Sequence, residues 1–196
     1  PSGVKVYGGF NGTETDITQR VNYGVGEDNE TSLSGDNDQN DTSESIEGSN
    51  ARIVVTFSDA SDETVLDGFT ITAGTNYGIE NKNGSPQITN CTISGNKAQG
   101  FRNFTDRDGA EASPTLTNCI ITGNIGTSNG GGMSNTASGV GSVASPTLTN
   151  CTITGNTATQ YGGGIRNFTN NGTASPTFTN CTISGNSAIR YHQSFP

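Results

Sequence analysis

Ser113-Pro114-Thr115-Leu116-Thr117-Asn118-Cys119-Ile120-Ile121-Thr122-Gly123-Asn124 is one of four similar copies of a twelve-residue repeat. The other copies begin at Ser85, Ser145 and Ser175. Their cysteines lie 28, 32 and 30 residues apart, a period typical of stacked supersecondary units rather than of one globular core. The repeat therefore predicts a solenoid.

Apolar and polar residues alternate within the twelve-residue repeat, and the alternation slips once. Leu116 precedes Cys119 by three positions, whereas Cys119 and Ile121 are two apart. Alternation predicts strands, and the slip at Asn118 predicts a corner between two of them, because asparagine tolerates left-handed backbone geometry. The corner residue is asparagine in every copy: Asn90, Asn118, Asn150 and Asn180. The Gly-Asn pair that ends each copy predicts a second corner.

A third strand is predicted before each copy by the pattern glycine, apolar residue, any residue, asparagine. Gly132-Met133-Ser134-Asn135 is one example, and the pattern also begins at Gly78, Gly100 and Gly164. The segments of variable length that follow it are predicted loops. The sequence therefore predicts an all-β, single-stranded parallel β-helix of about six coils with three short strands each.

Stacking the coils at the strand spacing of about 4.8 Å would place like residues in inward ladders. Two such ladders are Cys91, Cys119, Cys151 and Cys181, and Ile93, Ile121, Ile153 and Ile183. Only 29% of the residues are apolar, which suits a solenoid with one narrow apolar row per strand. We predict free, buried cysteines that pack as small hydrophobic residues. Disulfides between neighbouring coils are the alternative, and zinc is disfavoured because no histidine accompanies the thiols.

The length of 196 residues predicts one domain. We expect a first coil with an acidic insertion in 1–50, regular coils in 51–188 and an irregular tail in 189–196. No signal peptide precedes the first strand, which predicts a processed or excised segment. Few residues follow the last repeat, so we expect its coil to stack end to end on another copy or to dock on further coils of the same protein.

Charge and hydropathy argue against two classes of partner. The formal net charge is −9 and the lysines and arginines are scattered, so nucleic acid is not an expected partner. The sequence has no run of 18 apolar residues, so membrane insertion is not expected either.

An acidic stretch within the first insertion has the spacing of a calcium-binding loop. Asp36, Asp38, Asn40 and Glu47 occupy positions one, three, five and twelve of that pattern, and calcium prefers such oxygen ligands. Asp41 stands where the pattern needs glycine, and no helices flank the stretch. The alternative is a polar insertion without metal. Calcium is the only cofactor that the sequence suggests.

Two further surfaces are candidates for chemistry. The loop at 104–112 carries Asp106, Asp108 and Glu111 beside Arg102 and Arg107, and polysaccharide cleavage needs two carboxylates that face one sugar. A solvated charged loop is the alternative, and the lone His192 falls in the irregular tail. Outward Thr-x-Thr rows, such as Thr115 with Thr117, resemble the ice-contacting faces of some antifreeze proteins, although threonine is also an ordinary exposed strand residue.

The repeat resembles those of secreted right-handed parallel β-helix proteins of bacteria, of the polymorphic outer-membrane-protein type. The resemblance rests on Gly162-Gly163-Gly164-Ile165-Arg166-Asn167 followed by the copy at Ser175–Asn186, and it is closest over residues 78–188. It implies a right-handed solenoid, an extracellular or cell-surface location, and a structural, adhesive or carbohydrate-contacting role with surface glycans as partners. It does not imply a reaction, and a carbohydrate-active enzyme remains the alternative because similar folds host polysaccharide lyases and hydrolases.

Overall fold

The fold is known from a computed structural model that describes residues 3–24, 26–42, 45, 47–127 and 129–189. Its strands in chain order are β1 (Lys5–Tyr7), β2 (Ser32–Ser34), β3 (Ile53–Ser58), β4 (Val65–Asp67), β5 (Thr70–Thr72), β6 (Tyr77–Lys82), β7 (Gln87–Thr89), β8 (Thr92–Ser94), β9 (Gln99–Phe104), β10 (Thr115–Thr117), β11 (Ile120–Thr122), β12 (Ile125–Gly126), β13 (Met133–Ser138), β14 (Val143–Ala144), β15 (Thr147–Thr149), β16 (Thr152–Thr154), β17 (Thr157–Ala158), β18 (Ile165–Asn170), β19 (Thr173–Ala174), β20 (Thr177–Thr179), β21 (Thr182–Ser184) and β22 (Ser187–Ala188). One short 3-10 helix, Ile17–Gln19, lies between β1 and β2.

Three long sheets form the sides of the solenoid. Sheet 1 contains β1, β4, β7, β10, β15 and β20, sheet 2 contains β2, β5, β8, β11, β16 and β21, and sheet 3 contains β3, β6, β9, β13 and β18. Neighbouring strands in each sheet are parallel. Because the chain visits the three sheets in turn, the fold is a parallel β-helix, which confirms the predicted fold class and the expected number of coils.

The coils differ from the sequence expectation in two details. Two additional short sheets, β12-β17-β22 and β14-β19, give the later coils a fourth or fifth strand where three were expected. The first coil consists of β1, β2 and β3, so it extends beyond residue 50. The strands β14 and β19 lie in the segments of variable length that precede the last two repeats.

Each long sheet buries one row of apolar side chains. In sheet 1, Leu116 pairs in register with Ile88 and Leu148, and in sheet 2, Ile121 pairs with Ile93 and Ile153. All six side chains are fully buried. The in-register stacking of like residues makes each coil the packing partner of the next, so the core is a continuous column rather than a globule.

Both predicted corners have left-handed backbone geometry. The asparagine corner has φ near 50° throughout: 51° at Asn90, 53° at Asn118, 54° at Asn150 and 52° at Asn180. The Gly-Asn corner has φ of 62° at Gly123 and similar values in the other copies. The exposed corner asparagines also bond to one another, since Asn118 Nδ2 donates to Asn90 Oδ1 at 3.1 Å.

Two further asparagine ladders run inside the solenoid, and the sequence did not predict them. One contains Asn96, Asn124, Asn156 and Asn186, in which each Nδ2 donates to the next Oδ1 at 2.9 Å. The other contains Asn81, Asn103, Asn135 and Asn167, with the corresponding distances 2.7, 2.8 and 2.7 Å. Their amides also donate to backbone carbonyls, for example Asn103 Nδ2 to Ala112 O at 2.8 Å. These bonds satisfy most of the buried polar groups, which makes the ladders compatible with an apolar core.

The glycine of the third-strand pattern makes room for one of these ladders. A Cβ at Gly100 would lie 2.6 Å from Asn124 Nδ2, and one at Gly78 would lie 2.6 Å from Asn96 Nδ2. Both distances are shorter than van der Waals contact allows. The glycine of the Gly-apolar-x-Asn motif therefore packs against the asparagine of the Gly-Asn motif in the following coil.

Candidate functional sites and end surfaces

The predicted calcium ligands bind their own loop instead of converging. Asp36 accepts hydrogen bonds from the backbone N–H groups of Asn40 and Asp41 at 3.3 and 3.1 Å, and Asp38 Oδ2 accepts from Ser49 N at 3.0 Å. Glu47 Oε1 accepts from the Ser45 hydroxyl at 2.9 Å. Among the described residues, no three acidic, histidine or cysteine side chains are placed to hold one metal ion. The arrangement does not fit calcium, and we build no function on it.

Two of the three carboxylates of the 104–112 loop, those of Asp106 and Asp108, are engaged in structural contacts. Asp106 Oδ2 lies 2.5 Å from Lys82 Nζ, Asp108 Oδ1 accepts from Val140 N at 2.8 Å, and Arg107 forms an ion pair with Asp59. Hydrogen bonds from the Lys82 side chain and from Asn83 lower the pKa of Asp106. A general acid for glycoside cleavage needs a raised pKa. The lowered pKa of Asp106, which lies beside two cations, does not suit that role.

The cysteine ladder lies against sheet 1 and sheet 2 as a column of free thiols. Cys91, Cys119 and Cys151 are buried, whereas Cys181 in the last coil is partly exposed. Cys119 Sγ donates to the carbonyls of Ile88 and Thr117, both at 3.4 Å. Burial raises the pKa of the Cys91 thiol to about 11. A buried, protonated thiol is a poor nucleophile, so burial supports a packing role for Cys91.

The outward faces of sheets 1 and 2 are neutral and rich in threonine over the later coils. Thr115, Thr147 and Thr177 stack in register and are exposed. Gln87 continues this row in the third coil, and Ile120, which is 43% exposed, interrupts the corresponding row of sheet 2. The sheet 1 row is thus regular over the last three coils and the sheet 2 row over the last two.

Sheet 3 has a different outward face, with arginines stacked on aromatic rings. The Arg102 guanidinium lies 3.9 Å from the Phe104 ring centroid, and its Nη1 lies 2.7 Å from Glu80 Oε2. Arg166 lies 4.4 Å from the centroid of Phe168 in the same relative positions two coils later. Sequence reasoning missed this face, although the shared Arg-Asn-Phe triplets at 102–104 and 166–168 are visible in the sequence.

The two ends of the solenoid expose ladder positions that are buried between them. At the first coil, Val6 is 45% exposed and borders a hollow of about 590 Å³ that Leu33, Val55 and Phe57 also line. At the last coil, Phe178 and Ile183 are 37% and 49% exposed, in register with the buried Leu148 and Ile153. The predicted isoleucine and cysteine ladders therefore end at Ile183 and Cys181, which are partly exposed because no described residue stacks on them.

The remaining predictions and the comparisons add no further site. His192 lies outside the described residues, as does most of the predicted tail. Within the residues that are described, no helix is long and apolar enough to cross a lipid bilayer. No protein-family model matches the chain, and searches of curated proteins and of solved structures found no match.

Proposed function

We propose that the protein is a non-catalytic structural solenoid that assembles head to tail, with the last coil of one copy stacked on the first coil of the next. The observation that carries the proposal is the exposure of inward ladder positions at both ends. Val6 and Ile183 are about half exposed, whereas Ile121, at the equivalent position to Ile183 in the middle of the rod, is fully buried. The proposed occupant of each end is a second copy of this chain, and further coils of the same protein are the alternative.

The interface between copies would reuse the interface between coils. Inside the chain, neighbouring coils pack their apolar rows against each other and pair in parallel through the long sheets, three of them up to the fifth coil and two between the fifth and sixth coils. In the described residues the outer edges of β1, β2 and β3 are unpaired, as are those of β20 and β21. Unpaired parallel edges with an apolar row behind them are templates for a further strand layer. Because the two ends are different surfaces, such contacts do not close and would produce filaments.

Charge favours head-to-tail contacts over contacts between two first coils. All 18 acidic residues lie at or before Glu111, so the first coils are acidic. Residues 112–196 contain no Asp or Glu and carry Arg166 and Arg190. Two first coils would repel each other, whereas a first coil on a last coil brings no two acidic surfaces together. Charge therefore disfavours contacts between two first coils.

The proposed setting is the exterior of a bacterial cell, in a secreted or surface-anchored protein. The support is the resemblance of the Gly-Gly-Gly-Ile-Arg-Asn and Ser-Pro-Thr-Phe-Thr-Asn-Cys motifs to secreted β-helix repeats. In that setting an assembled rod with neutral threonine faces would act as a spacer or adhesive surface.

The test is sedimentation of the purified protein over a concentration series, with complementary end variants. Val6→Asp blocks the first coil and Ile183→Asp blocks the last coil; both positions are exposed, so folding should survive. Wild type should grow into long species, each variant alone should stay monomeric, and a mixture of the two should stop at a heterodimer. That pattern follows only if unlike ends meet.

Three results would overturn the assembly. Wild type that stays monomeric at the highest concentration contradicts it, as do variants that dimerise alone, because they would show contacts between like ends. Assembly that appears only after residues 190–196 are deleted would make the chain's own tail the occupant. Val140→Asp serves as the control, since Val140 is 68% exposed on a loop between the ends and should leave assembly unchanged.

A further inference from the structure

Sheet 3 ends one coil before the other two long sheets. Sheets 1 and 2 contain six strands each, whereas sheet 3 contains five and ends at β18. Within the described residues, the sixth coil therefore contains β20 and β21 but no strand of sheet 3. A second copy whose first coil stacks on β20 and β21 places its β3 about 10 Å, or two strand spacings, from β18. The joint between copies thus contains a gap for one extended strand, which we call the sheet 3 slot.

The outer edge of β18 has the features of a strand that lacks its neighbour. Ile165 is partly buried, whereas Met133, its partner in register on β13, is fully buried. Asn167 is exposed, whereas its partner Asn135 is fully buried. Met133 N donates to Gly164 O of the following coil at 2.8 Å. Because bonding alternates along a parallel strand, the N–H groups of Ile165 and Asn167 point to the uncovered edge, which can pair with a further strand.

The second inner asparagine ladder also stops at this edge. Asn135 Nδ2 donates to Ala144 O at 2.9 Å and to Asn167 Oδ1 at 2.7 Å. Asn167 Nδ2 donates to Ala174 O at 2.7 Å, and no described side chain continues the ladder beyond it. A strand in the sheet 3 slot would extend the ladder if it placed an amide side chain next to Asn167.

The third coil shows how a strand of sheet 3 follows a ladder asparagine without an intervening loop. The strand β9 begins at the third residue after Asn96. The fifth and seventh residues after Asn96 are Phe101 and Asn103, and both are fully buried. Through β13 these two residues stand in register with Ile165 and Asn167. A strand of this kind therefore needs an apolar residue and an amide at the fifth and seventh positions after the asparagine.

The segment that follows Ile189, the last described residue, has this pattern. The fifth residue after the ladder residue Asn186 is Tyr191, and the seventh is Gln193. Ile189 is the third residue after Asn186, and its N–H donates to Ala158 O of the preceding coil at 2.8 Å. The chain therefore still follows the coil at the position where a strand like β9 begins.

The glycine of the third-strand pattern is required only where a ladder asparagine lies in the following coil. A Cβ at Gly164 would lie 2.8 Å from Asn186 Nδ2. In the first coil, Val54 holds the glycine position, in register with Gly78. The ladder position of the second coil is held by Gly74 instead of asparagine. A larger side chain is therefore accepted where no asparagine stacks on it.

Arg190 holds the glycine position of the segment after Ile189, since it is the fourth residue after the ladder asparagine, as Gly100 is in the third coil. The first coil of a second copy has Asp36 at the ladder position, two residues after the end of β2. Asp36 is partly exposed within the acidic insertion. In a head-to-tail joint, Arg190 would therefore face a carboxylate of the next copy, and opposite charges favour that contact.

We propose that residues 190–194 pair with β18 as the sheet 3 strand of the sixth coil and fill the sheet 3 slot between copies. Tyr191 covers Ile165, and the Gln193 side chain accepts from Asn167 Nδ2. This inference rests on the proposed head-to-tail assembly and names the segment that completes its joint. Within one copy the same strand covers the edge of β18 before assembly, so the pairing and the assembly can be measured separately.

The pairing is tested in the Val6→Asp variant, whose last coil is intact and whose first coil cannot dock. Hydrogen exchange of β18 is compared with and without residues 190–196. Deletion should speed exchange of the N–H groups of Ile165 and Asn167 by about tenfold or more, as expected from the loss of backbone hydrogen bonds. Exchange of β10, in the middle of the rod, should stay unchanged. Equal exchange of β18 in the two proteins would overturn the pairing, whether or not wild type assembles.

The contribution to assembly is tested by sedimentation of variants in the wild-type background. Tyr191→Asp places a charge against the apolar wall of the slot and should raise the concentration needed for assembly by about tenfold or more. Ser194→Asp is the matched control, because the eighth residue after the asparagine points outward and should tolerate a charge. Arg190→Gln should weaken assembly at low salt and have less effect at high salt, because salt screens a charge contact.

The two measurements separate this inference from the proposed function. Faster exchange of β18 after deletion, in a wild type that stays monomeric, would keep the strand and remove the assembly. Assembly that Tyr191→Asp and the deletion leave unchanged would keep the head-to-tail rod and refute the strand as part of its joint. Equal weakening by Tyr191→Asp and Ser194→Asp would contradict the assigned inward and outward positions.

Discussion

Arg20 and Asp67 form a buried ion pair that fixes the first insertion to the second coil. Arg20 Nη2 lies 2.9 Å from Asp67 Oδ2, and the two side chains are 7% and 13% exposed. Arg20 also donates to Gly8 O at 2.9 Å and lies 4.9 Å from the ring centroid of Tyr23. Asp67 Oδ1 accepts from Asn90 Nδ2 at 3.0 Å. The pair thereby joins the segment between β1 and β2 to the corner asparagine ladder.

Arg20→Met should destabilise the first coil strongly. The substitution keeps an apolar stem against the aromatic rings but leaves Asp67 buried without its partner, a loss of about 3–5 kcal/mol. Chemical denaturation should show the lower free energy of unfolding, and hydrogen exchange should show faster exchange in β1 and β4. The matched control is Arg107→Met, which removes the exposed pair with Asp59 and should cost less than about 1 kcal/mol. Equal losses in the two variants would contradict a special role for Arg20.

Asn124→Ala should be far more destabilising than a change at the neighbouring corner asparagine. Asn124 Nδ2 donates to Asn156 Oδ1 and Ile93 O at 2.9 and 3.0 Å, and its Oδ1 accepts from Asn96 Nδ2 at 2.9 Å. Alanine would leave several buried groups unpaired at about 1–3 kcal/mol each. Thermal and urea unfolding would measure the loss.

Asn118→Gly is the control for the buried ladder. Asn118 has φ of 53° and is exposed, so glycine keeps the left-handed corner and loses two solvent-accessible hydrogen bonds, one to Asn90 and one from Asn150. The change should alter stability by less than about 1 kcal/mol. A larger loss in Asn118→Gly than in Asn124→Ala would show that the corner, not the ladder, limits stability.

The contrast between Asn118 and Asn124 also shows what the sequence could and could not reveal. Repeats and alternation predict strands, corners and inward rows, because these depend on period alone. Both asparagines follow a strand and were interpreted as turn residues, but the side chain of Asn124 points inward and joins a ladder. Side-chain direction at a corner depends on the backbone path, which spacing does not specify.

The sequence also does not predict the contacts between loops of different coils. Arg107 pairs with Asp59, which lies 48 positions earlier in a segment that has no counterpart in the repeat. Tyr161 and Phe168 likewise line one cavity from opposite sides of a glycine-rich turn. Such pairings depend on which variable loops become neighbours, and only the stacked structure determines that.

Gly100→Ala should disrupt packing between coils although alanine is small. A Cβ at this position would lie 2.6 Å from Asn124 Nδ2 and 2.9 Å from Gly132 O. Relief requires the ladder or the neighbouring strand to move, so we expect a loss of about 1–3 kcal/mol. Gly109→Ala is the comparison, because its φ of 66° strains alanine but nothing lies near its Cβ. A loss below about 0.5 kcal/mol in Gly100→Ala by thermal unfolding would show that the asparagine ladder accommodates the added methyl group.

Cys91 should make the fold sensitive to alkaline pH. Burial raises the pKa of its thiol from 9.0 to about 11, so the folded state favours the protonated form. The resulting stabilisation is complete below about pH 9 and is lost as pH rises towards 11, a change of roughly 2–3 kcal/mol. Cys91→Ala removes this titration, so the free energy by which wild type exceeds the variant should shrink across that range in urea unfolding. Cys181→Ala is the control, since Cys181 is only partly buried. A difference between wild type and Cys91→Ala that stays constant from about pH 8 to pH 11 would show that folding does not raise the pKa of the Cys91 thiol.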